Sequence, residues 1–107
     1  MTRLKKIMTI VQLEYERAAD KFRPFNSDHE GYAILKEEVD ELWDEIKANN
    51  HSAAFDKAVQ VAAMAVRFLY DNHRGLAWDE QINKALTKLV KGQKDGNEET
   101  NGNTEAP

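Results

Sequence analysis

Apolar residues recur at intervals of three and four along most of this 107-residue chain, and no stretch replaces that rhythm with a two-residue alternation. The period points to helices, because a strand turns successive side chains to opposite faces whereas a helix stacks those three and four apart. Proline occurs only at Pro24 and Pro107, so little interrupts them.

From Thr2 to about Phe22, the set Leu4, Ile7, Met8, Val11, Tyr15, Ala18 and Phe22 marks the packed side of a first helix that Thr2 can cap. Arg23-Pro24-Phe25-Asn26 breaks it, since proline disfavours helical geometry at the residue before it. Ser27 followed by Glu30 has capping-box spacing, which predicts a second helix from there to about Ala48. After the polar turn Asn49-Asn50-His51, Ser52 is the predicted cap of a third helix through Tyr70 or Asp71. So short a turn makes helices two and three antiparallel neighbours. Gly75 is a plausible stop, and Trp78, Ile82, Ala85, Leu86 and Leu89 mark a shorter fourth helix. Residues 1–90 thus read as one all-α, four-helix domain. The polar tail 91–107 is predicted to be disordered, because it has too little apolar surface to offset its conformational entropy.

The third helix is apolar on nearly every side, through Phe55, Ala58, Val59, Val61, Ala62, Ala63, Met64, Ala65, Val66, Phe68 and Leu69. Its polar residues Asp56, Lys57, Gln60, Arg67 and Asp71 form one narrow strip. Such a helix is central or lies in a subunit interface. A domain of this size buries only roughly two-thirds of its unfolded surface, so dimerisation is the expected way to complete the core.

Composition narrows the function. Cysteine is absent, which fits a reducing compartment and removes disulfides, thiolate metal sites and cysteine nucleophiles. No apolar run approaches the roughly 18 residues of a membrane span, and the N-terminus lacks a secretory signal pattern, so a cytoplasmic location is expected. The net charge of −4 argues against a nucleic-acid polymer as partner but allows a free nucleotide. Glycine-rich phosphate loops and Ser-His-Asp arrangements are missing. His29, His51 and His73 stand singly, without the i, i+4 pairing of a helical zinc site, and Trp43 and Trp78 adjoin apolar stripes where core packing is the ordinary fate.

One segment carries chemistry. Residues 37–46 hold six carboxylates in ten positions, threaded by an apolar seam of Leu35, Val39, Leu42 and Ile46. At about 100° per residue, Glu38, Glu41 and Glu45 form a stripe at the edge of that seam, with Glu37, Asp40 and Asp44 further toward solvent. Such a stripe can present oxygens to magnesium, or it is simply a solvated acidic face.

The run Glu37-Glu38-Val39-Asp40-Glu41-Leu42, a short turn, and then Lys57-Ala58-Val59-Gln60-Val61-Ala62-Ala63-Met64-Ala65 resembles the all-α nucleoside triphosphate pyrophosphohydrolases of the MazG-like superfamily. His29-Glu30-Gly31-Tyr32 and the run from Ala63 to Phe68 resemble its small phage and prophage members, and the likeness covers roughly residues 5 to 75. The resemblance implies a bundle that forms a homodimer or homotetramer, in the host cytoplasm if phage-encoded. It also implies cleavage of a nucleoside triphosphate to a monophosphate and pyrophosphate with magnesium, or manganese in its place. The family pattern E-E-x-x-E falls on Glu37, Glu38 and Glu41. On this reading Glu38 and Glu41 are the principal metal ligands and catalytic carboxylates, Glu37 and Glu45 complete the shell, Gln60 faces them, and Lys57 and Arg67 contact phosphate.

The chain departs from the family on the third helix, where Lys57 and Gln60 stand in place of Glu-x-x-Asp. Three outcomes are open: a weakened one-metal enzyme in which Gln60 lends a carbonyl oxygen and Asp56 or Asp71 helps; a site where the Lys57 ammonium replaces a metal and contacts phosphate; or a non-catalytic interaction module that keeps the fold.

Overall fold

The computed structural model describes the backbone of residues 1–71 and 76–99, and the side chains of residues 1–70 and 79–92. The described residues form four helices and no strand: α1 (Arg3–Lys21), α2 (Asp28–Lys47), α3 (His51–Asp71) and α4 (Leu76–Glu99). The all-α expectation holds. The chain divides into two compact units, Met1–His73 and Arg74–Pro107, so the domain expected over 1–90 spans both.

Helix ends follow local hydrogen bonding. Thr2 caps α1 as predicted, its Oγ1 accepting from the Lys5 amide at 3.1 Å. Ser27 caps α2, accepting from the Glu30 amide at 3.1 Å. The reciprocal half of this box overshoots: Glu30 Oε1 accepts from the Asn26 amide at 2.6 Å instead of the Ser27 amide. The same carboxylate grips Arg23 through both oxygens, at 3.0 and 2.7 Å. These bonds hold Glu30 at a pKa of about 2, with Arg23 the larger cause and the Asn26 amide next.

Between α2 and α3, Asn49 adopts φ 59°, the left-handed region that asparagine tolerates better than most residues. Its amide donates to Ile46 O and the Asn50 amide to Glu45 O, both at 3.0 Å, which is the Schellman ending of a helix. Asn50 then starts α3, its Oδ1 accepting from the Ala53 amide at 3.1 Å. The cap is therefore Asn50, not Ser52. An asparagine two residues earlier already supplies the acceptor, and α3 begins at His51.

Within the first unit α3 packs against both α1 and α2, the central position its composition suggested. The buried cluster is Ala18, Phe25, Ala63 and Met64, with Tyr15, Ile34, Leu35 and Phe68 against it. Gly31 is needed for close approach. A Cβ there would meet Phe68 Cδ2 at 2.7 Å and Phe25 Cδ2 at 3.0 Å.

The faces that turn inward differ from those the apolar pattern indicated. On α2, Glu38, Glu41 and Glu45 are half-buried, whereas Val39 and Ile46 of the expected seam are 43% and 48% exposed. Trp43, expected in the core, is also exposed and carries the Lys47 ammonium 5.6 Å from its ring centre. On α3 part of the polar strip turns inward beside Ala63 and Met64: Lys57 and Gln60 are half-buried and Arg67 is 3% exposed, while Asp56, Phe55 and Leu69 face out. For Lys57, Glu41, Gln60 and Arg67 the physical reason is pairing, since charges and hydrogen-bonding groups that satisfy one another can be taken from water together.

In the second unit α4 continues beyond Val90, where the fourth helix was expected to end, to Glu99. Five of the nine residues of that extension are Lys, Gln or Glu, good helix formers without being apolar. Gly75, His73, Arg74 and residues 100–107 lie outside the described residues, as does the side chain of Trp78. Among the described residues no helix is long and apolar enough to cross a membrane.

Candidate functional site

The C-terminal half of α1, the linker after it and the facing sides of α2 and α3 enclose a cleft of about 440 Å³. From α2 it is lined by Glu30, Ile34, Glu37 and Glu38, from α3 by Gln60, Met64 and Arg67, and from α1 by Glu14, Arg17 and Ala18. Phe22, Arg23 and Phe25 of the linker region close it. Four of the residues singled out in the sequence therefore share one wall system: Glu37, Glu38, Gln60 and Arg67. Glu41, Glu45 and Lys57 do not line it.

Lys57 explains the division. Its ammonium donates to Glu41 Oε1 at 2.6 Å and to Gln60 Oε1 at 3.4 Å, tying α2 to α3 beside the cleft. Its pKa is raised, first by the Glu41 hydrogen bond, with Glu38 and Glu45 adding smaller attractions. The ammonium thus lies within the field of the whole carboxylate stripe.

Glu38 is the strained member. Its Oε1 is shielded from solvent without a hydrogen-bond partner among the described residues. Burial pushes its carboxyl pKa up, Glu41 adds to the shift, and Lys57 opposes it. A carboxylate in that condition favours either a proton or an arriving cation.

Arg67, expected to contact phosphate, is held on several sides. Its Nη2 donates to Arg23 O at 2.9 Å, its Nη1 approaches Met64 Sδ at 3.7 Å, and its guanidinium carbon lies 4.3 Å from the Phe25 ring centre. It fastens the linker to α3 and forms part of the cleft wall. Arg17 is paired with Glu14 at 2.6 Å and Arg23 with Glu30 at 2.7 Å, both on side chains more than half exposed. The Arg17 guanidinium holds the Glu14 carboxyl below its ordinary value.

Among the described residues no group of three or more His, Cys, Asp or Glu side chains is disposed to hold a metal ion. The donors do not fit a cage built from protein alone. Magnesium, however, is usually held by one or two carboxylates together with substrate phosphates. Glu38, with its orphaned oxygen, and Glu37 beside it on the cleft fit that mode.

The sequence pattern did not place Glu14, Arg17, Arg23, Phe25 or Glu30 in the site, and it put Phe22 on the packed side of α1, where the structure leaves it 52% exposed on the cleft. A signal existed for one pair: an arginine just before Pro24, followed by a glutamate at the third position of a capped helix, invites a clamp across the linker. Arg17 and Glu14 offered only ordinary i, i+3 spacing. No protein-family model, curated protein or solved structure matches the chain.

Proposed function

We propose that the cleft binds a nucleoside triphosphate with magnesium, and that the chain is a MazG-like pyrophosphohydrolase of low turnover releasing a monophosphate and pyrophosphate. The observation that carries this reading is Glu38, a carboxylate with one oxygen shielded and without a partner among the described residues, on the wall of a cleft that also presents guanidinium groups. Bound there with the nucleotide, the ion supplies charge neutralisation of the phosphates and a polarised water. Glu38 and Glu37 hold it. Arg17 and Arg23 can exchange their carboxylate partners for phosphate oxygens, because both side chains are solvent-accessible. Arg67 keeps the linker in place. Low turnover follows from Lys57, which occupies Glu41 and brings an ammonium where further carboxylates would strengthen ion binding.

The experiment is pyrophosphate release from each common ribo- and deoxyribonucleoside triphosphate with magnesium or manganese. Slow release that vanishes in Glu38→Gln supports the enzyme, and no release from any substrate removes it. The Lys57 to Glu41 bond favours a second reading, a non-catalytic module with its acidic face already neutralised. Calorimetry that finds no response to magnesium, with or without nucleotide, would favour that module. We also propose that the outward apolar residues Val39, Trp43, Ile46 and Phe55 are covered by a second copy of the chain, completing a dimeric bundle.

A further inference from the structure

Phe22 is a large aromatic residue left 52% exposed on the cleft, whereas Phe25, three residues later, is buried. Its placement is not loose. Phe22 is the C-cap of α1, with extended backbone at φ −122° and ψ 149°, and its amide is tied to Ala18 O at 2.9 Å. The ring is therefore delivered to the cleft by a fixed piece of backbone. Two cations lie near it, the Lys21 ammonium 5.4 Å from the ring centre and the Arg67 guanidinium carbon at 6.0 Å. The exposed Lys21 side chain can give up its place over the ring to a flat aromatic group, and its ammonium can then meet the phosphates which that group carries.

The carboxylates on this side of the cleft face guanidinium groups and a backbone amide. Glu14 is engaged by Arg17, and Glu30 by Arg23 and the Asn26 amide. Beside Phe22 itself the cleft offers a base the face of a ring.

Resting on the nucleotide reading above, we propose that Phe22 is the platform on which the base stacks, so that the cleft selects nucleotides over bare polyphosphate while accepting any base. Stacking tolerates base identity because every base presents a π-face. Phe22 is a specificity-determining residue on this view and takes no part in the chemistry.

The test is calorimetry of the full chain with magnesium and the α,β-methylene analogues of ATP, GTP, CTP and UTP, alongside magnesium tripolyphosphate. The four analogues should bind with similar affinity, and each about 5- to 150-fold tighter than tripolyphosphate. Phe22→Ala should remove that excess and leave tripolyphosphate binding unchanged, and Phe22→Trp should restore it. Thermal melting checks that the variants fold. Phe22→Ala with unaltered analogue affinity, equal loss for analogues and tripolyphosphate, or one base strongly preferred would overturn the stacking role and leave the nucleotide reading standing. Failure of the parent chain to bind any of these ligands would overturn both.

Discussion

Lys57 and Glu41 meet at 2.6 Å from neighbouring helices, with the Gln60 carbonyl at 3.4 Å from the same ammonium. The contact joins half-buried polar groups of α2 and α3, and it sits at the edge of the cleft rather than in it. It engages Glu41 while Glu38 Oε1 has no hydrogen-bond partner among the described residues.

Removing that ammonium should therefore strengthen cation binding at small structural expense. Because the pair is partly solvated, Lys57→Ala should lower stability by no more than about 1 kcal/mol. Calorimetry should show tighter magnesium binding in the variant, and Lys57→Glu combined with Gln60→Asp should gain further affinity and pyrophosphate release. No gain in either variant would mean that the carboxylates beside the cleft do not act as ion ligands.

Glu38→Gln should stabilise the protein while removing ion binding. The folded-state pKa of Glu38 lies above its ordinary value of 4.5, so the fold holds this proton more tightly than the unfolded chain does. The favourable contribution is present below that value and is lost as pH rises through the folded pKa. At neutral pH the amide avoids the charge, and about 1 kcal/mol, or roughly 4–8 °C in melting temperature, is expected. A variant that melts lower than the parent would contradict this.

Glu30 behaves in the opposite sense. Its folded pKa of about 2 lies below the ordinary 4.5, so its contribution is complete above 4.5 and disappears as pH falls toward 2. Acid unfolding of the parent should therefore steepen across that window, and Glu30→Gln should flatten it. Equal acid profiles for the two proteins would show that the clamp on Arg23 and Asn26 is not populated in solution.

Gly31→Ala should destabilise, although replacing glycine inside a helix ordinarily helps. The helix gain is about 1 kcal/mol, but the added methyl would stand 2.7 Å from Phe68 Cδ2 and 3.0 Å from Phe25 Cδ2. Overpacking of this kind costs about 1–3 kcal/mol. Denaturant titration should show a lower midpoint, and a higher one would mean that the Phe25 and Phe68 rings can yield.

The exposed residues Val39, Trp43, Ile46 and Phe55 should bring two chains together. Sedimentation equilibrium should report a dimer that Trp43→Lys and Ile46→Lys dissociate. A parent chain that stays monomeric at high micromolar concentration would leave these residues simply solvated.

Where the sequence was readable, the cause was local. Thr2, and Ser27 with Glu30, announced their helices because a capping side chain bonds within three residues of itself. The central role of α3 followed from its near-complete apolar girth. The inward faces were not readable in the same way, because periodicity identifies a stripe without saying which stripe is covered. Here Val39 and Ile46 lost the interior to Glu38, Glu41 and Glu45 once Lys57 was available across the hairpin. The Arg23 to Glu30 clamp and the buried Arg67 depend on the path of the linker over α3, which no spacing rule encodes.

The two asparagines between α2 and α3 carry a consequence of their own. Asn49 ends one helix in left-handed geometry and Asn50 opens the next, so nothing between them can absorb a change in phase. Inserting a single residue there would rotate α3 by about 100° if the turn geometry were kept, and the place of Lys57 would pass to Asp56. A cation facing Glu41 would become an anion. The sign of the charge opposite the acidic stripe is thus written in the length of a turn as much as in the identity of any residue on the helix.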